Sequence, residues 1–134
     1  MMQNEDVVHV IDDEEAIRES LAFLLESEEL EVHTYESANA FLESLPHGAR
    51  GCIVTDIRMP GVSGIELLRQ LRTMGVAIPV IVISGHADHQ MVAEAMNSGA
   101  LDCFKKPFDD DTFLSAIHSA LRRPATQVPT LTNA

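Results

Sequence analysis

The spacing of hydrophobic residues changes several times along the chain, and each change predicts a new element. Continuous apolar runs at residues 7–11, 52–55 and 80–83 are typical of strands buried on both faces of a sheet. A short alternating run at residues 31–35 and a mixed run at residues 101–104 predict two further strands. Between the runs, apolar residues recur every three or four positions, which indicates helices with one buried face.

Five such helices are predicted, one after each strand. Ser37 is a predicted N-cap, and Gly75 and Gly99 are predicted helix ends. Acidic residues 109–111 complement the dipole at the start of the last helix. The predicted buried positions of the five helices are, in order, Ile17, Leu21, Leu24 and Leu25; Ala38, Phe41, Leu42 and Leu45; Ile65, Leu67, Leu68 and Leu71; Val92, Ala95 and Met96; and Phe113, Leu114, Ile117 and Leu121.

Strand and helix therefore alternate five times, with connections of a few residues. This order predicts an α/β fold, a doubly wound parallel sheet with helices on both faces. The 134 residues suit one domain with a proper core, which we expect to span residues 1–123. Residues 124–134 are polar, contain proline and lack periodicity, and they are interpreted as a flexible tail or linker.

The charge of the chain limits its partners. A net charge of −12 and a pI near 4.7 disfavour direct contact with nucleic acid or an anionic membrane, because phosphates would be repelled. The acidic N-terminus lacks a signal-peptide pattern, and no apolar run reaches a membrane span. We expect a cytoplasmic protein. Cys52 and Cys103 fall on the third and fifth strands, about 10 Å apart, and are expected to be buried reduced thiols rather than a disulfide.

Polar side chains stand where four of the predicted strands end. They are Asp12, Asp13, Asp56, Ser84 and Lys106. Open α/β sheets bind their ligands at this edge. Two carboxylates about 4 Å apart repel by about 4 kcal/mol at an effective dielectric near 20. The cluster therefore needs a divalent cation, a proton or a counter-charge.

A magnesium ion suits such a cluster, because it prefers oxygen ligands and keeps several waters. Asp13 and Asp56 are the predicted direct ligands, with Asp12 acting through water. Asp56 could also be a nucleophile towards phosphorus, forming an aspartyl phosphate. Lys106 and the hydroxyl of Ser84 would then hold phosphoryl oxygens.

Other kinds of site fit the sequence less well. The first strand is not followed by G-x-G-x-x-G, so a dinucleotide site is disfavoured. Ser84 lacks the G-x-S-x-G pattern of hydrolases. His86 and His89 have a spacing compatible with zinc, but the simpler interpretation is surface histidines. Met91 and Met96 are interpreted as packing residues.

Six short motifs follow one another along the chain in a specific order and spacing. They are Val10-Ile11-Asp12-Asp13-Glu14, Thr55-Asp56-Ile57-Arg58-Met59-Pro60-Gly61, Ser63-Gly64, Ser84-Gly85-His86, Gly99-Ala100 and Lys105-Lys106-Pro107-Phe108. From about Val7 to Leu121, the chain resembles the receiver domain of bacterial two-component response regulators. This resemblance implies a flavodoxin-like fold with strand order 2-1-3-4-5. Similarity around residues 83–88 and 94–96 points to the FixJ subfamily, whose members usually carry a C-terminal DNA-binding domain.

The resemblance also implies a role for each residue of the acidic half of the site. Asp56 matches the phosphoacceptor, and Asp12 and Asp13 match the acidic metal pair. The carbonyl of Arg58 matches a backbone metal ligand. Mg²⁺ is the implied cofactor.

The second half of the site matches the family with one departure. Ser84 fills the hydroxyl switch position, Lys106 matches the phosphate-binding lysine, and the bond before Pro107 is expected to be cis. Three residues before Lys106, where the family usually has a switch Tyr or Phe, this chain has Cys103. Phe104 is adjacent but should point to the opposite face of the strand. The usual aromatic rotation is therefore not expected here.

Three functions follow as hypotheses. The first is a phosphorylation switch that receives phosphoryl from a sensor histidine kinase, dimerises through its fourth helix, fifth strand and fifth helix, and controls transcription through an output domain. Apart from its own phosphorylation and dephosphorylation, such a protein is not an enzyme. The second is a stand-alone phosphorelay or protein-binding module. The third is a small Mg²⁺-dependent phosphatase, which would place its nucleophile after the first strand in a D-x-D arrangement that residues 12–14 do not provide.

Overall fold

Five strands and five helices alternate along the chain. The computed structural model describes residues 7–45, 50–85 and 89–122. The strands are β1 Val7–Ile11, β2 Glu31–Tyr35, β3 Cys52–Asp56, β4 Val80–Ser84 and β5 Asp102–Lys105. The helices are α1 Glu15–Glu26, α2 Ala38–Ser44, α3 Gly64–Thr73, α4 His89–Asn97 and α5 Asp110–Leu121.

All five strands form one parallel sheet in the order β2-β1-β3-β4-β5. This confirms the predicted topology. Because the order reverses at β1, the connections after β1 and β3 leave the sheet on opposite sides, which opens a crevice at its carboxyl edge. The register places Asp56 of β3 opposite Ile83 and places Ser84 opposite Lys105. The ends of β3, β4 and β5 therefore lie side by side.

Two apolar clusters cover the two faces of the sheet. One packs α1 and α5 against it, and the other packs α2, α3 and α4. Every residue of β1 and β4 is buried, as their continuous apolar runs predicted. The largest fully buried side chains are Phe41, Phe113, Ile11, Leu25, Ile53, Ile57, Leu67, Ile81, Ile83, Ile117, Val8 and Val10.

The predicted helix boundaries are confirmed by their local contacts. The Ser37 side chain accepts a hydrogen bond from the Ala40 amide at 3.0 Å. Gly75 and Gly99 have φ angles of +75° and +111°, the left-handed conformation with which many helices end. After α3, the Val76 amide donates to the Leu71 carbonyl, which completes a Schellman motif. The proposed tail at residues 124–134 lies outside the described residues.

Met96 and one of the two cysteines are more exposed than predicted. Met96 was expected to face the core, but it is 43% exposed, whereas Met91 packs against the α2–α3–α4 cluster. Cys52 and Cys103 are free, as expected, but only Cys52 is buried. Cys103 is partly exposed because β5 is an edge strand. Among the described residues, no helix is long and apolar enough to cross a bilayer.

Candidate functional site

Three carboxylates converge at the carboxyl edge of the sheet. Asp12 and Asp13 follow β1, and Asp56 is the last residue of β3. Each contributes an oxygen, and these three oxygens lie within 4.8 Å of one another. The neighbouring strands bring them together, because β1 pairs with β3 up to Ile11 and Thr55. The predicted acidic cluster is therefore present in the structure.

Asp12 is the buried member of the cluster and is held at three points. Its amide donates to the Tyr35 carbonyl at 3.1 Å. Its carbonyl accepts from Nη1 of Arg18 at 2.7 Å, and its Oδ1 accepts from the Glu14 amide at 2.9 Å. Glu14, the N-cap of α1, has no side-chain capping bond, so Asp12 supplies an acceptor at the helix start.

The electrostatics of the cluster are unfavourable to a charged Asp12. Only 2% of this residue is exposed, and the pKa of its carboxyl is raised to about 6, chiefly by burial. The charges of Asp56 and Asp13 also contribute to this rise, while the Glu14 amide and Lys106 oppose it. The cationic side chain therefore offsets only part of the cost of burying this charge.

Asp56 lies between a main-chain amide and a lysine ammonium. Its Oδ1 accepts from the Arg58 amide at 3.1 Å, and its Oδ2 lies 3.7 Å from Nζ of Lys106. The side chains of Lys106 and Asp56 are 26% and 12% exposed, so Asp56 is shielded but reachable. These contacts fix the orientation of the carboxylate while leaving access from solvent.

The backbone below Asp56 is packed against the start of α3. The Gly64 amide donates to the Ile57 carbonyl at 2.9 Å. A Cβ at Gly64 would lie 2.5 Å from the Asp56 carbonyl oxygen, a separation that real side chains do not tolerate. Glycine at this position therefore allows α3 to support the acidic residue from below.

Ser84 and Lys106 come from adjacent strand ends. Ser84 is the last residue of β4 and is 5% exposed, and its carbonyl accepts from the Lys106 amide at 2.8 Å. The Lys106–Pro107 bond is cis, as the resemblance implied. Ser84 and Lys106 are thus coupled through the main chain at the same edge as Asp56.

The residues before Lys106 alternate between the two faces of the sheet, as predicted. Cys103 packs against the α2–α3–α4 cluster, whereas Phe104 packs on the opposite face against Phe108 and Phe113. Burial, aided by Asp102, raises the pKa of the Cys103 thiol, so this thiol is neutral at pH 7. Cys103, three residues before Lys106, thus places a small side chain at the position where the family usually has an aromatic ring.

The donor set fits a hard divalent cation. Three carboxylates supply only oxygen atoms. Burial first, and then the charges of Asp56 and Asp13, raise the pKa of Asp12, so repulsion within the cluster is incompletely offset. A cation bound among them would remove that repulsion. His89, whose spacing from His86 is compatible with zinc, is exposed at the start of α4. His86 lies outside the described residues.

Sequence reasoning missed one residue that touches this cluster, Arg18. A signal was present, since Arg18 lies one helical turn after Glu14, the residue that follows the acidic pair. Helical side chains lean towards the N-terminus of their helix. An arginine in the first turn of α1 can therefore reach back to the loop that carries the acidic pair.

Comparison with known proteins agrees with this geometry. Residues 8–118 match the family model described as the response regulator receiver domain. The chain is 53% identical to the transcriptional regulatory protein FixJ of Azorhizobium caulinodans over 120 residues, and 41% identical to the response regulator protein TodT of Pseudomonas putida over 122 residues. These alignments cover 90% and 91% of this chain but 57% and 54% of the relatives.

Solved structures give the same result. The crystal structure of FixJ-N superposes with a TM-score of 0.83 at 44% identity, covering 98% of this chain and all of that one. Full-length FixJ from B. japonicum gives a TM-score of 0.84 at 43% identity, over 90% of this chain and 61% of that one. The chain spans little more than half the length of the curated relatives it matches. It belongs to the response regulator receiver domain family, the signalling domain of two-component systems.

Proposed function

We propose that this domain is a switch that is turned on when Asp56 accepts a phosphoryl group from a sensor histidine kinase in the presence of Mg²⁺. One observation carries the proposal. The Asp56 carboxylate lies between a lysine ammonium at 3.7 Å and two further carboxylates whose oxygens are within 4.8 Å. A nucleophile with a cation on one side and a metal-binding acidic pair on the other suits transfer of a phosphoryl group.

The chemistry of this transfer can be assigned to residues of the chain. An oxygen of Asp56 attacks phosphorus, the bond from phosphorus to the kinase imidazole breaks, and that nitrogen takes up a proton. The Arg58 amide orients the carboxylate by holding Oδ1. Lys106, already beside Oδ2, neutralises charge on the incoming group. Mg²⁺, held by Asp12, Asp13, Asp56 and the Arg58 carbonyl, would supply the remaining positive charge.

Phosphorylation would alter the ends of β4 and β5. The new group adds about −1.5 to −2 charge and three strong acceptors, and Ser84 and Lys106 are the donors that we expect to turn towards it. Moving a two-state equilibrium from 1:99 to 99:1 takes about 5.5 kcal/mol. Two or three charge-assisted hydrogen bonds at about 1.5–3 kcal/mol each can supply free energy of this order.

The output of the switch would be a change at the surface formed by α4, β5 and α5. The hydrogen bond from the Lys106 amide to the Ser84 carbonyl links the end of β5 to the end of β4. A movement of either residue would therefore be transmitted to α4 and α5, the helices that follow these strands. We propose that phosphorylated copies dimerise through this surface. Because Cys103 replaces an aromatic side chain, this transmission would proceed without aromatic rotation.

The wider role that we propose is control of transcription. Several relatives are named transcriptional regulatory proteins, and the chain covers just over half of their length. A DNA-binding domain following this one would account for the difference. The receiver domain itself, with its net charge of −12, would not contact DNA, and its kinase partner implies a cytoplasmic location.

Phosphorylation of Asp56→Asn tests the central claim. The wild-type domain, incubated with acetyl phosphate and Mg²⁺, should gain the mass of one phosphoryl group, and Asp56→Asn should gain none. Asp102→Asn, which alters a carboxylate at the start of β5, should behave as wild type. Equal labelling of Asp56→Asn and wild type would disprove the assignment, as would labelling that is unaffected by removing Mg²⁺ with a chelator.

Dimerisation is tested separately with a phosphoryl mimic. With beryllofluoride and Mg²⁺, the wild-type domain should increase in mass by light scattering, whereas Asp56→Asn should remain unchanged. A substitution on the exposed face of α5, such as Ser119→Arg, should block the increase while leaving phosphorylation intact. A wild-type domain that stays monomeric with the mimic bound would refute dimerisation by the isolated domain.

A further inference from the structure

We propose that Arg18 is a positioning residue for the metal-binding pair, acting by holding the peptide group that joins Asp12 to Asp13. This inference rests on the proposed function. Nη1 of Arg18 donates to the Asp12 carbonyl oxygen at 2.7 Å, the shortest of the contacts described above for Asp12. The bond is made to the main chain and not to a carboxylate.

The location of this bond determines what it controls. The carbonyl of Asp12 and the amide of Asp13 belong to the same planar peptide group. Holding the carbonyl oxygen therefore also sets the direction in which the chain enters Asp13. The Asp12 side chain and amide are already fixed by Glu14 and Tyr35. The contact from Arg18 is thus the one that orients the peptide leading to Asp13.

The conformation of Asp13 is less restricted by its surroundings than that of Asp12. Asp12 is buried and held by three contacts, whereas Asp13 is exposed at the surface of the loop. An exposed side chain moves among rotamers, and ordering it for a ligand costs free energy. If the peptide before it is fixed, fewer conformations remain to be lost when a cation binds. Arg18 would therefore pre-organise the more mobile half of the acidic pair.

The start of α1 places Arg18 correctly for this task. The Arg18 amide donates to the Glu14 carbonyl at 3.1 Å, so Arg18 lies in the first turn of the helix. From there a side chain leans back towards the β1–α1 loop. The residue is partly buried, which shields the hydrogen bond from water. Arginine adds a rigid planar group whose geometry is maintained once the bond forms.

The sign of the effect separates positioning from charge. Arg18 is a cation near a proposed cation site, so its positive charge alone weakens binding of Mg²⁺. If charge were its main influence, removing it would strengthen binding. If it positions Asp13, removing it weakens binding. The two roles therefore predict opposite changes in the dissociation constant for Mg²⁺.

Calorimetric titration with Mg²⁺ distinguishes the two roles. We expect Arg18→Met, which keeps chain length and helix propensity, to bind Mg²⁺ about 10-fold more weakly than wild type, the scale found for residues that orient metal ligands. Arg18→Lys keeps a charged donor and should recover most of the affinity. Glu19→Gln, at the exposed neighbouring position, should bind within about twofold of wild type.

Phosphorylation by acetyl phosphate provides a second readout. Arg18→Met should need more Mg²⁺ to reach half of its maximal rate, while the rate at saturating Mg²⁺ should return to that of wild type. Because the calorimetric result does not depend on Asp56 being phosphorylated, failure of the proposed function would show as absent labelling with the Arg18 effect on binding preserved.

Two results would overturn the positioning role. One is Arg18→Met binding Mg²⁺ as tightly as wild type or more tightly. The other is a loss of affinity that Arg18→Lys does not reverse and that accompanies a matching drop in the thermal unfolding midpoint, which would indicate a general contribution to α1. If Arg18→Met does not fold, Arg18→Gln is judged by the same two criteria.

Discussion

Two titratable side chains three residues apart are buried in and just after β1, and their surroundings differ. One has a hydrogen-bond partner for each polar atom, and the other lies beside like charges. His9 is 8% exposed and Asp12 is 2% exposed. Burial lowers the pKa of His9 and raises the pKa of Asp12, so in both cases it disfavours the charged form. The difference lies in the partners that each side chain receives.

His9 has a complete set of partners in its neutral form. Its Nε2 lies 3.1 Å from the Arg50 carbonyl, and its Nδ1 lies 3.2 Å from the Tyr35 hydroxyl. Because a carbonyl can only accept, Nε2 carries the proton and Nδ1 accepts from the hydroxyl. The ring also packs edge-on against Phe41 at 5.4 Å between centroids. This is a polar residue used for structure.

The Asp12 carboxylate, by contrast, lacks partners that would compensate its charge fully. One oxygen accepts from the Glu14 amide, but two other carboxylates stand within 4.8 Å. Such repulsion is a cost to folding that a bound cation can recover. Burial alone therefore does not mark a functional residue. Burial with an uncompensated charge does, because the missing interaction is what a ligand supplies.

The largest expected effect is on the structural member of the pair. His9→Ala should lower the free energy of unfolding by about 2–4 kcal/mol, because it leaves a cavity and removes the partner of the Arg50 carbonyl. Urea unfolding in metal-free buffer at pH 7 measures this. The control is His33→Ala on the exposed side of β2, expected to change stability by less than about 1 kcal/mol. Equal effects of the two substitutions would contradict a structural role for His9.

Substitution of Asp12 should change the free energy of unfolding in the opposite direction. Asp12→Asn keeps an acceptor for the Glu14 amide but removes the buried charge. In metal-free buffer at pH 7 it should raise the free energy of unfolding by about 1–2 kcal/mol, while weakening Mg²⁺ binding in calorimetry. Asp13→Asn, at an exposed position, should stabilise less. A destabilised Asp12→Asn protein would show that the charge is compensated.

The gain in stability from Asp12→Asn should depend on pH. The folded-state pKa of Asp12 is about 6, above its value in the unfolded chain, so the folded state binds the extra proton between these two values. The penalty of the charged form is therefore greatest above pH 6 and fades as the pH falls through 6. The stability difference between Asp12→Asn and wild type should shrink over that range. A difference that is constant from pH 7.5 to 4.5 would refute the assignment.

The smallest effect is expected at the counter-charge. Lys106→Met removes the ammonium 3.7 Å from Asp56 and should lower the free energy of unfolding by up to about 1 kcal/mol without metal. Added Mg²⁺ should reduce this difference, because the cation neutralises the same carboxylates. Arg69→Met breaks the exposed ion pair with Glu94 on α3 and α4, and its small effect should not depend on Mg²⁺. Matching Mg²⁺ responses in the two variants would contradict the comparison.

The amino-acid sequence alone was sufficient to predict the elements, their order and the sheet edge that carries the polar groups. Apolar periodicity, the Ser37 cap and the glycine stops are local signals, read over a few residues, and the structure confirms them. The convergence of Asp12, Asp13 and Asp56 also followed, because parallel strands end at a common edge. Short-range chemistry repeated along the chain is sufficient for these conclusions.

Whether an individual side chain is buried, paired or exposed depends, by contrast, on the folded chain. His9 lies within an apolar run, yet its hydrogen-bond partners are a tyrosine hydroxyl on β2 and the main-chain carbonyl of Arg50. Met96 follows the helical pattern but faces outward, and Arg18 bonds a carbonyl in the preceding loop. These outcomes depend on neighbours distant in sequence and on the packing of one element against another. Periodicity cannot encode them, because it records the face of an element and not what that face meets.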